Sequence, residues 1–188
     1  MTVLFWTAAY ACIVYHAVQH RNEPAELYMP LISGCLNFAW EVNALLRSQG
    51  YWGHVLWLVL DAVILFFNFR WLRGSASRAL YGAAVVITTG LLLFLFRQPG
   101  PDWMLLSSFV IDVIMALEFL LRAKVISRHG KILIAAAKML GDIGAFLGNR
   151  SAAAYVLPIG LVVLVLNLLY LSYCLEERSR VGKKKKQR

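Results

Sequence analysis

The residues best suited to chemistry in this sequence are ionisable side chains that interrupt long apolar segments. An ionisable group at the centre of a membrane helix costs about 2.5–3.5 kcal/mol on insertion scales, so each one needs a contact or a function. The set comprises Glu41, Asp61, Asp112, Glu118, Lys138 and Asp142, accompanied by Asn37, Asn43, Asn68 and Asn167. Carboxyl groups kept from water favour their protonated form and can act as general acids. These residue types therefore indicate proton-transfer chemistry in a water-poor setting.

Glu41 has the most suggestive local surroundings of these groups. Asn37 precedes it by one helical turn on the same face, and Trp40 is adjacent. A protonated Glu41 among apolar and aromatic side chains would be a general acid. The structural alternative is a carboxyl group that hydrogen-bonds Asn37 or a neighbouring helix and serves only to pack the spans together.

Asp61 belongs to a polar and aromatic stripe on an otherwise apolar segment. Trp57 lies one turn before it and Asn68 two turns after it, so the stripe must face protein or a cavity. A functional role and a purely structural hydrogen bond are equally open for Asp61.

The remaining ionisable groups differ in the partners that their spacing offers. Lys138 and Asp142 stand four residues apart, which predicts mutual neutralisation within one helix. Glu118 can reach Arg122 at the same spacing and is interpreted as an anchor at the membrane interface. Asp112 has no partner nearby in the sequence.

Apolar helices must position these groups. The chain has 188 residues, of which 60% are hydrophobic and 15% charged, against roughly 45–50% and about 25% in soluble domains. The apolar runs are about 20 residues long, enough for a helix to cross a membrane. The sequence predicts an all-α membrane protein, a bundle of seven transmembrane helices in one domain (1–175) with a basic tail (176–188). The predicted spans are 2–18, 27–46, 52–72, 79–96, 103–122, 131–148 and 152–174.

The basic residues predict the orientation of this bundle. Of 19 lysines and arginines, 15 lie in the tail or in loops on its side and three in the opposite loops, with Lys138 inside a span. The positive-inside rule then places the tail in the cytoplasm and Met1 outside. The net charge of +9 is thus explained by topology and by membrane lipids, and no nucleic-acid partner is predicted.

The end of the chain, Lys185-Lys186-Gln187-Arg188, has the form of a dilysine retrieval signal. It predicts the endoplasmic reticulum in a eukaryote, and the plasma membrane is expected in a bacterium. The alternative is a basic segment that binds anionic lipid headgroups.

Motifs for phosphate, nucleophile or metal chemistry are missing from the sequence. There is no Walker motif, GxSxG, HExxH, CxxC or aspartate-rich diphosphate motif. We therefore expect neither a metal site nor a cofactor.

One segment resembles a family of membrane enzymes. The stretches Tyr28-Met29-Pro30-Leu31 and Asn37-Phe38-Ala39-Trp40-Glu41 resemble the second helix of integral-membrane terpene cyclases of the paxilline and pyripyropene type, which carry MPL and then N-x-A-W-E-F. These enzymes make meroterpenoids and indole diterpenes. The similarity continues at Trp57 to Asp61, at His129-Gly130 and at Lys138-Met139-Leu140-Gly141.

The resemblance implies a reaction and a set of site residues. Glu41 matches the acid that protonates an epoxide or a terminal alkene of a lipid-soluble prenylated substrate, without metal or loss of diphosphate. We expect Asn37, Trp40, Trp57, Asp112 and Tyr170 to contact that substrate. The family has a second acid in its last helix, followed three residues later by Tyr, where this chain has Asn167 and Tyr170. Asn167 can orient Glu41 by a hydrogen bond, and Asp61 or Asp112 can supply the missing carboxylate.

Two other functions fit the sequence. Ser33, Asn37 and Asn43 in the second span match Ser108, Asp112 and Glu118 in the fifth at an offset of 75. A 3+1+3 helix repeat, as in small-solute transporters, would be one source of that pattern, and chance similarity between apolar helices is another. A non-catalytic scaffold is the third reading, favoured by Asn167 in place of an acid.

Overall fold

The computed structural model describes residues 2–20, 29–47, 52–99, 102–124, 130–149 and 154–186. These residues form seven α-helices and no strand, which confirms the all-α prediction. The helices are α1 (Thr2–Gln19), α2 (Leu31–Arg47), α3 (Trp52–Trp71), α4 (Ser75–Leu95), α5 (Trp103–Leu121), α6 (Lys131–Asn149) and α7 (Val156–Lys186). Helices α3 to α7 are long and apolar enough to cross a membrane. The chain is accordingly a multi-pass membrane protein.

Three helix boundaries differ from those predicted. Helix α2 begins after Pro30, whose ring removes a backbone donor and commonly precedes or opens a helix. Helix α4 begins directly after Gly74, which has φ 88°, rather than at residue 79. Helix α7 continues to Lys186 and so runs through the predicted domain boundary at 175, because the glutamates, arginines and lysines there are good helix formers. The side chains of the dilysine motif lie outside the described residues, as do Tyr28 and His129.

Six of the helices form a closed ring. Helix α1 packs against α3 and α6, α7 packs against α5 and α6, and α2 packs against α3 and α5. Helix α4 packs on the outside of α2, and its apolar side chains, such as Leu80 and Val86, are largely exposed. Such an exposed apolar surface suits contact with lipid. Of the buried polar residues, Asn37 and Glu41 face the space inside the ring, whereas Asn43 and Asn68 bond α4 outside it.

The ring has the helix order of two equivalent three-helix units. Exchanging α1, α2 and α3 for α5, α6 and α7 leaves the pattern of neighbours unchanged, and α4 is the helix left over. The similarity at an offset of 75 residues does not come from this repeat, because it pairs α2 with α5. A 3+1+3 repeat shifts the chain by four helices and pairs α2 with α6.

The two ends of the bundle are identified by contacts between helix termini. At the tail end, the Lys131 amine bonds the Ala123 carbonyl and the Glu177 carboxylate at 2.5 and 2.8 Å. At the opposite end, the Tyr155 hydroxyl donates to the Asp102 carbonyl at 3.4 Å. The largest apolar cluster extends from Trp6 and Tyr10 to the tail end and includes Ile13, Met29, Met115, Phe119, Ile134, Tyr170 and Cys174. This cluster fills the tail half of the ring.

Close packing of α1 on α6 depends on Gly141. A Cβ atom there would lie 2.7 Å from Cδ1 and 2.9 Å from Nε1 of Trp6. We expect Gly141→Ala to lower the free energy of unfolding by about 1–3 kcal/mol, as overpacking does. Tryptophan fluorescence during unfolding by SDS measures this loss. Gly148→Ala on the same helix is the control, because its Cβ would meet nothing within 4 Å. Equal stability of the two variants would show that the close contact is unimportant.

Candidate functional site

A cavity lies inside the ring, toward the end opposite the tail. Its volume is about 170 Å³. The lining residues come from α1, α2, α3, α5 and α6, and they are Trp6, Tyr10, Asn37, Trp40, Glu41, Trp57, Ser108, Ile111, Asp112 and Ala145. Five residues predicted from the sequence, on three different helices, thus surround one cavity: Asn37, Trp40, Glu41, Trp57 and Asp112.

The Glu41 carboxyl group is buried and bonded to a histidine that was not predicted from the sequence. Its Oε2 lies 2.9 Å from Nδ1 of His54, in the first turn of α3. The His54 ring meets Trp40 and Trp57 edge-on, with centroids 5.8 Å away in each case. A signal for His54 was present, because residues 54, 57 and 61 fall on one helical face and extend the stripe described for Asp61.

Hydrogen bonds fix the aromatic walls of the cavity. The indole N–H of Trp40 donates to Ser107 Oγ at 3.1 Å, and that of Trp57 donates to Thr7 Oγ1 at 2.9 Å. Asn37 donates its side-chain amide to the hydroxyl of Tyr10. Tyr10 lines the cavity and was not predicted, because its contact with α2 is tertiary. The aromatic walls are therefore held in place around a cavity that also presents Glu41, Ser108 and Asp112.

Asp61 is buried close to Glu41 but does not line the cavity. Its exposed fraction is 1%, and neither carboxyl oxygen has a hydrogen-bond partner among the described residues. It interacts electrostatically with Glu41 and Tyr10. The prediction that its stripe faces protein is confirmed, since Asn68 is also buried. A buried carboxyl group without partners destabilises a fold.

Replacing Asp61 by an apolar residue should therefore stabilise the protein. We expect Asp61→Val to raise the free energy of unfolding by about 1–3 kcal/mol, the usual cost of an unsatisfied buried polar group. Asp142→Val is the matched control, since this carboxylate is equally buried but bonded to Lys138, and it should destabilise. Thermal unfolding of both variants in the same detergent measures the difference. Destabilisation by Asp61→Val would mean that the carboxyl group has a stabilising contact.

A buried ionic cluster adjoins the cavity. Lys138 Nζ lies 2.7 Å from Asp142 Oδ2 and 3.1 Å from Asn167 Oδ1, and the Asn167 amide donates to the same Asp142 oxygen. The predicted pairing of Lys138 with Asp142 is confirmed. Lys138 Nζ also lies 5.1 Å from the ring of Trp6, a cavity residue. Asp112 interacts electrostatically with both members of the pair.

Two predicted site residues lie elsewhere. Asn167 was expected to orient Glu41, but it bonds Lys138 and Asp142 because α5 stands between α7 and α2 in the ring. Tyr170 was expected to contact substrate. It is buried in the apolar cluster beside Phe119, at a centroid distance of 5.3 Å, because it is one turn nearer the tail end.

The other buried polar residues connect helices. Glu118 Oε2 accepts hydrogen bonds from the backbone N–H and hydroxyl of Ser33 at 2.8 and 2.6 Å. Its predicted contact with Arg122 is confirmed at 3.5 Å. Asn43 donates to the Thr89 carbonyl, and Asn68 donates to the Tyr81 hydroxyl, so both hold α4. These residues have structural partners away from the cavity.

Comparison of the chain with protein-family models, with curated proteins and with solved structures finds no match. Within the described part of the chain, no group of three His, Cys, Asp or Glu residues is arranged to hold a metal ion. Function is therefore inferred from the cavity and from the sequence resemblance.

Proposed function

We propose that this chain is a terpene-cyclase-like membrane enzyme that starts cyclisation by protonating a prenylated, lipid-soluble substrate. The observation that carries the proposal is a buried acid, Glu41, that lines a cavity walled by Trp6, Trp40 and Trp57. Glu41 is the proposed general acid.

The chemistry follows from the residues around the cavity. The π electrons of a terminal alkene, or a lone pair of an epoxide oxygen, take the proton of Glu41 and leave a carboxylate. The positive charge moves along the polyene as each new carbon–carbon bond forms, and indole faces stabilise it through cation–π interactions. The reaction ends when the cation loses a proton or is captured by a nucleophile. Asp112, the second carboxyl group of the cavity wall, is proposed as the proton acceptor.

The size of the cavity suggests how such a substrate binds. Small-molecule sites usually have volumes of about 300–1000 Å³, and this cavity has about 170 Å³. We propose that it holds only the reacting end of the substrate, while the rest of the molecule extends between helices toward the lipid.

The proposed topology gives the position of the cavity in the membrane. All seven helices span the membrane, with the tail in the cytoplasm and the first residue outside, as the distribution of lysine and arginine supports. The cavity then belongs to the half of the membrane away from the cytoplasm. The membrane is the endoplasmic reticulum in a eukaryote or the plasma membrane in a bacterium.

An isotope experiment tests the proposal. The protein in lipid nanodiscs is incubated in D₂O with a farnesylated aromatic compound and, separately, with its terminal epoxide. We expect cyclised isomers of both, with one deuterium on carbon only in the alkene product, because epoxide opening places the proton on oxygen. Nanodiscs without protein are the control. Recovery of both compounds unchanged would reject the proposal.

The helix order supports a second candidate, a small-solute transporter. Two equivalent three-helix units with α4 outside suit alternating access around a central site. In this conformation an apolar cluster that includes Ile13, Phe119 and Ile134 fills the tail half of the ring among the described residues, so a transporter would have to rearrange that half to release solute on the tail side. Solute flux into proteoliposomes without any cyclised product would favour transport.

A further inference from the structure

We propose that His54 is a positioning residue that prepares Glu41 for proton donation, an inference that rests on the proposed function. The imidazole donates its Nδ1–H to Oε2 of Glu41 and leaves Oε1 to carry the acid proton. The 2.9 Å separation of Nδ1 and Oε2 is that of a normal hydrogen bond.

The surroundings of the imidazole fix its orientation. The ring stands between Trp40 and Trp57, with interplanar angles of 60° and 70°. Both indoles are anchored by their own hydrogen bonds, to Ser107 and Thr7. The ring therefore cannot turn away from Glu41 without moving a wall of the cavity.

His54 and Glu41 occupy different positions relative to the cavity, which gives them different roles. The side chain of His54 is 15% exposed and that of Glu41 is 9% exposed, while Glu41 and not His54 lines the cavity. Glu41 thus stands between the imidazole and the substrate. A donor on the far side of a carboxyl group leaves the near side available to the reacting atom.

The hydrogen bond favours the transition state. Proton transfer converts Glu41 into a carboxylate at a buried position, where an uncompensated charge is costly. A donor already aimed at Oε2 stabilises the charge that develops, and it needs no reorganisation at that moment. Asp61 and Asp112, the nearby acids, offer no such donor once they are ionised.

The test compares His54→Ala, which removes the donor, with His54→Asn, whose amide N–H stands near the position of Nδ1. The infrared band of the Glu41 carboxyl group is identified as the band that Glu41→Gln removes. We expect this band to shift in His54→Ala and to stay near its wild-type position in His54→Asn. We also expect kcat to fall about 10- to 100-fold in His54→Ala, as for loss of a hydrogen bond to a charged group, and KM to change little. His54→Asn should recover most of the rate.

The outcomes distinguish the role of His54 from the proposed cyclase function itself. An unshifted carboxyl band in His54→Ala would overturn the role of His54, whatever the activity. A shifted band in a protein whose wild type cyclises nothing would support the hydrogen bond and reject the cyclase function. If His54→Ala does not fold, His54→Phe keeps a ring between the two tryptophans without the N–H and serves in its place.

Discussion

Replacing Glu41 by glutamine should abolish cyclisation and leave the bundle folded. The amide has nearly the same shape and can still bond His54, but it cannot donate a proton to an alkene. General acids contribute about 10²- to 10⁴-fold to rates, so we expect product formation to fall at least about 100-fold. Product is measured by mass spectrometry of nanodisc reactions, and folding by tryptophan fluorescence.

Glu118→Gln is the matched control for this experiment. Glu118 is also a buried glutamate, with 8% exposure against 6% for Glu41, but it bonds Ser33 on α2 instead of lining the cavity. The control should lose some stability and retain its rate once it is folded. Full activity of Glu41→Gln would remove Glu41 from the mechanism, whereas equal loss in both variants would point to a folding defect.

The features that follow from local sequence could be predicted. Long apolar runs fold as helices in lipid, because lipid offers their backbone groups no hydrogen-bond partners and a helix pairs these groups internally. Seven helices were expected, and the described residues form seven. Residues spaced by one turn share a helical face, and this placed Asn37 with Glu41 and Lys138 with Asp142 correctly. Such contacts need no knowledge of which helix packs on which.

Contacts that depend on the ring order could not be predicted. Apolar helices of similar composition give no signal for their neighbours, so nothing in the sequence shows that α5 separates α7 from α2. Asn167 was therefore assigned to Glu41, although its partners are on α6. His54 was missed because its contact with Glu41 joins the end of α2 to the start of α3, and this depends on how the chain returns between them.

The buried polar residues differ in whether they have hydrogen-bond partners. Glu118, Asn43 and Asn68 each form a hydrogen bond to a neighbouring helix, through Ser33, Thr89 and Tyr81. Glu41 bonds His54 beside the cavity, whereas neither carboxyl oxygen of the nearby Asp61 has a partner among the described residues. Active sites commonly give up stability in this way. Asp61 is therefore the buried polar residue whose removal is expected to stabilise the protein.

Lys138→Met should destabilise the bundle strongly. The ammonium group is 2% exposed and bonds Asp142 and Asn167, and its loss leaves a buried carboxylate without a cation. Breaking a buried ion pair in this way costs about 3–5 kcal/mol. Unfolding by SDS, followed by tryptophan fluorescence, should show the loss as a transition at much lower detergent fraction.

The double variant Lys138→Met/Asp142→Asn should recover most of that stability. It removes both charges and leaves two amides, at 142 and 167, that can hydrogen-bond each other between α6 and α7 in place of the Asn167 contact with Asp142. Buried pairs replaced by uncharged groups are often as stable as the original. Asp142→Asn alone is the second arm, and it should destabilise because the amine then lacks a counter-charge. If the double variant is no more stable than Lys138→Met, a carboxylate other than Asp142 also depends on the Lys138 amine. Asp112, which interacts electrostatically with both members of the pair, would be that carboxylate.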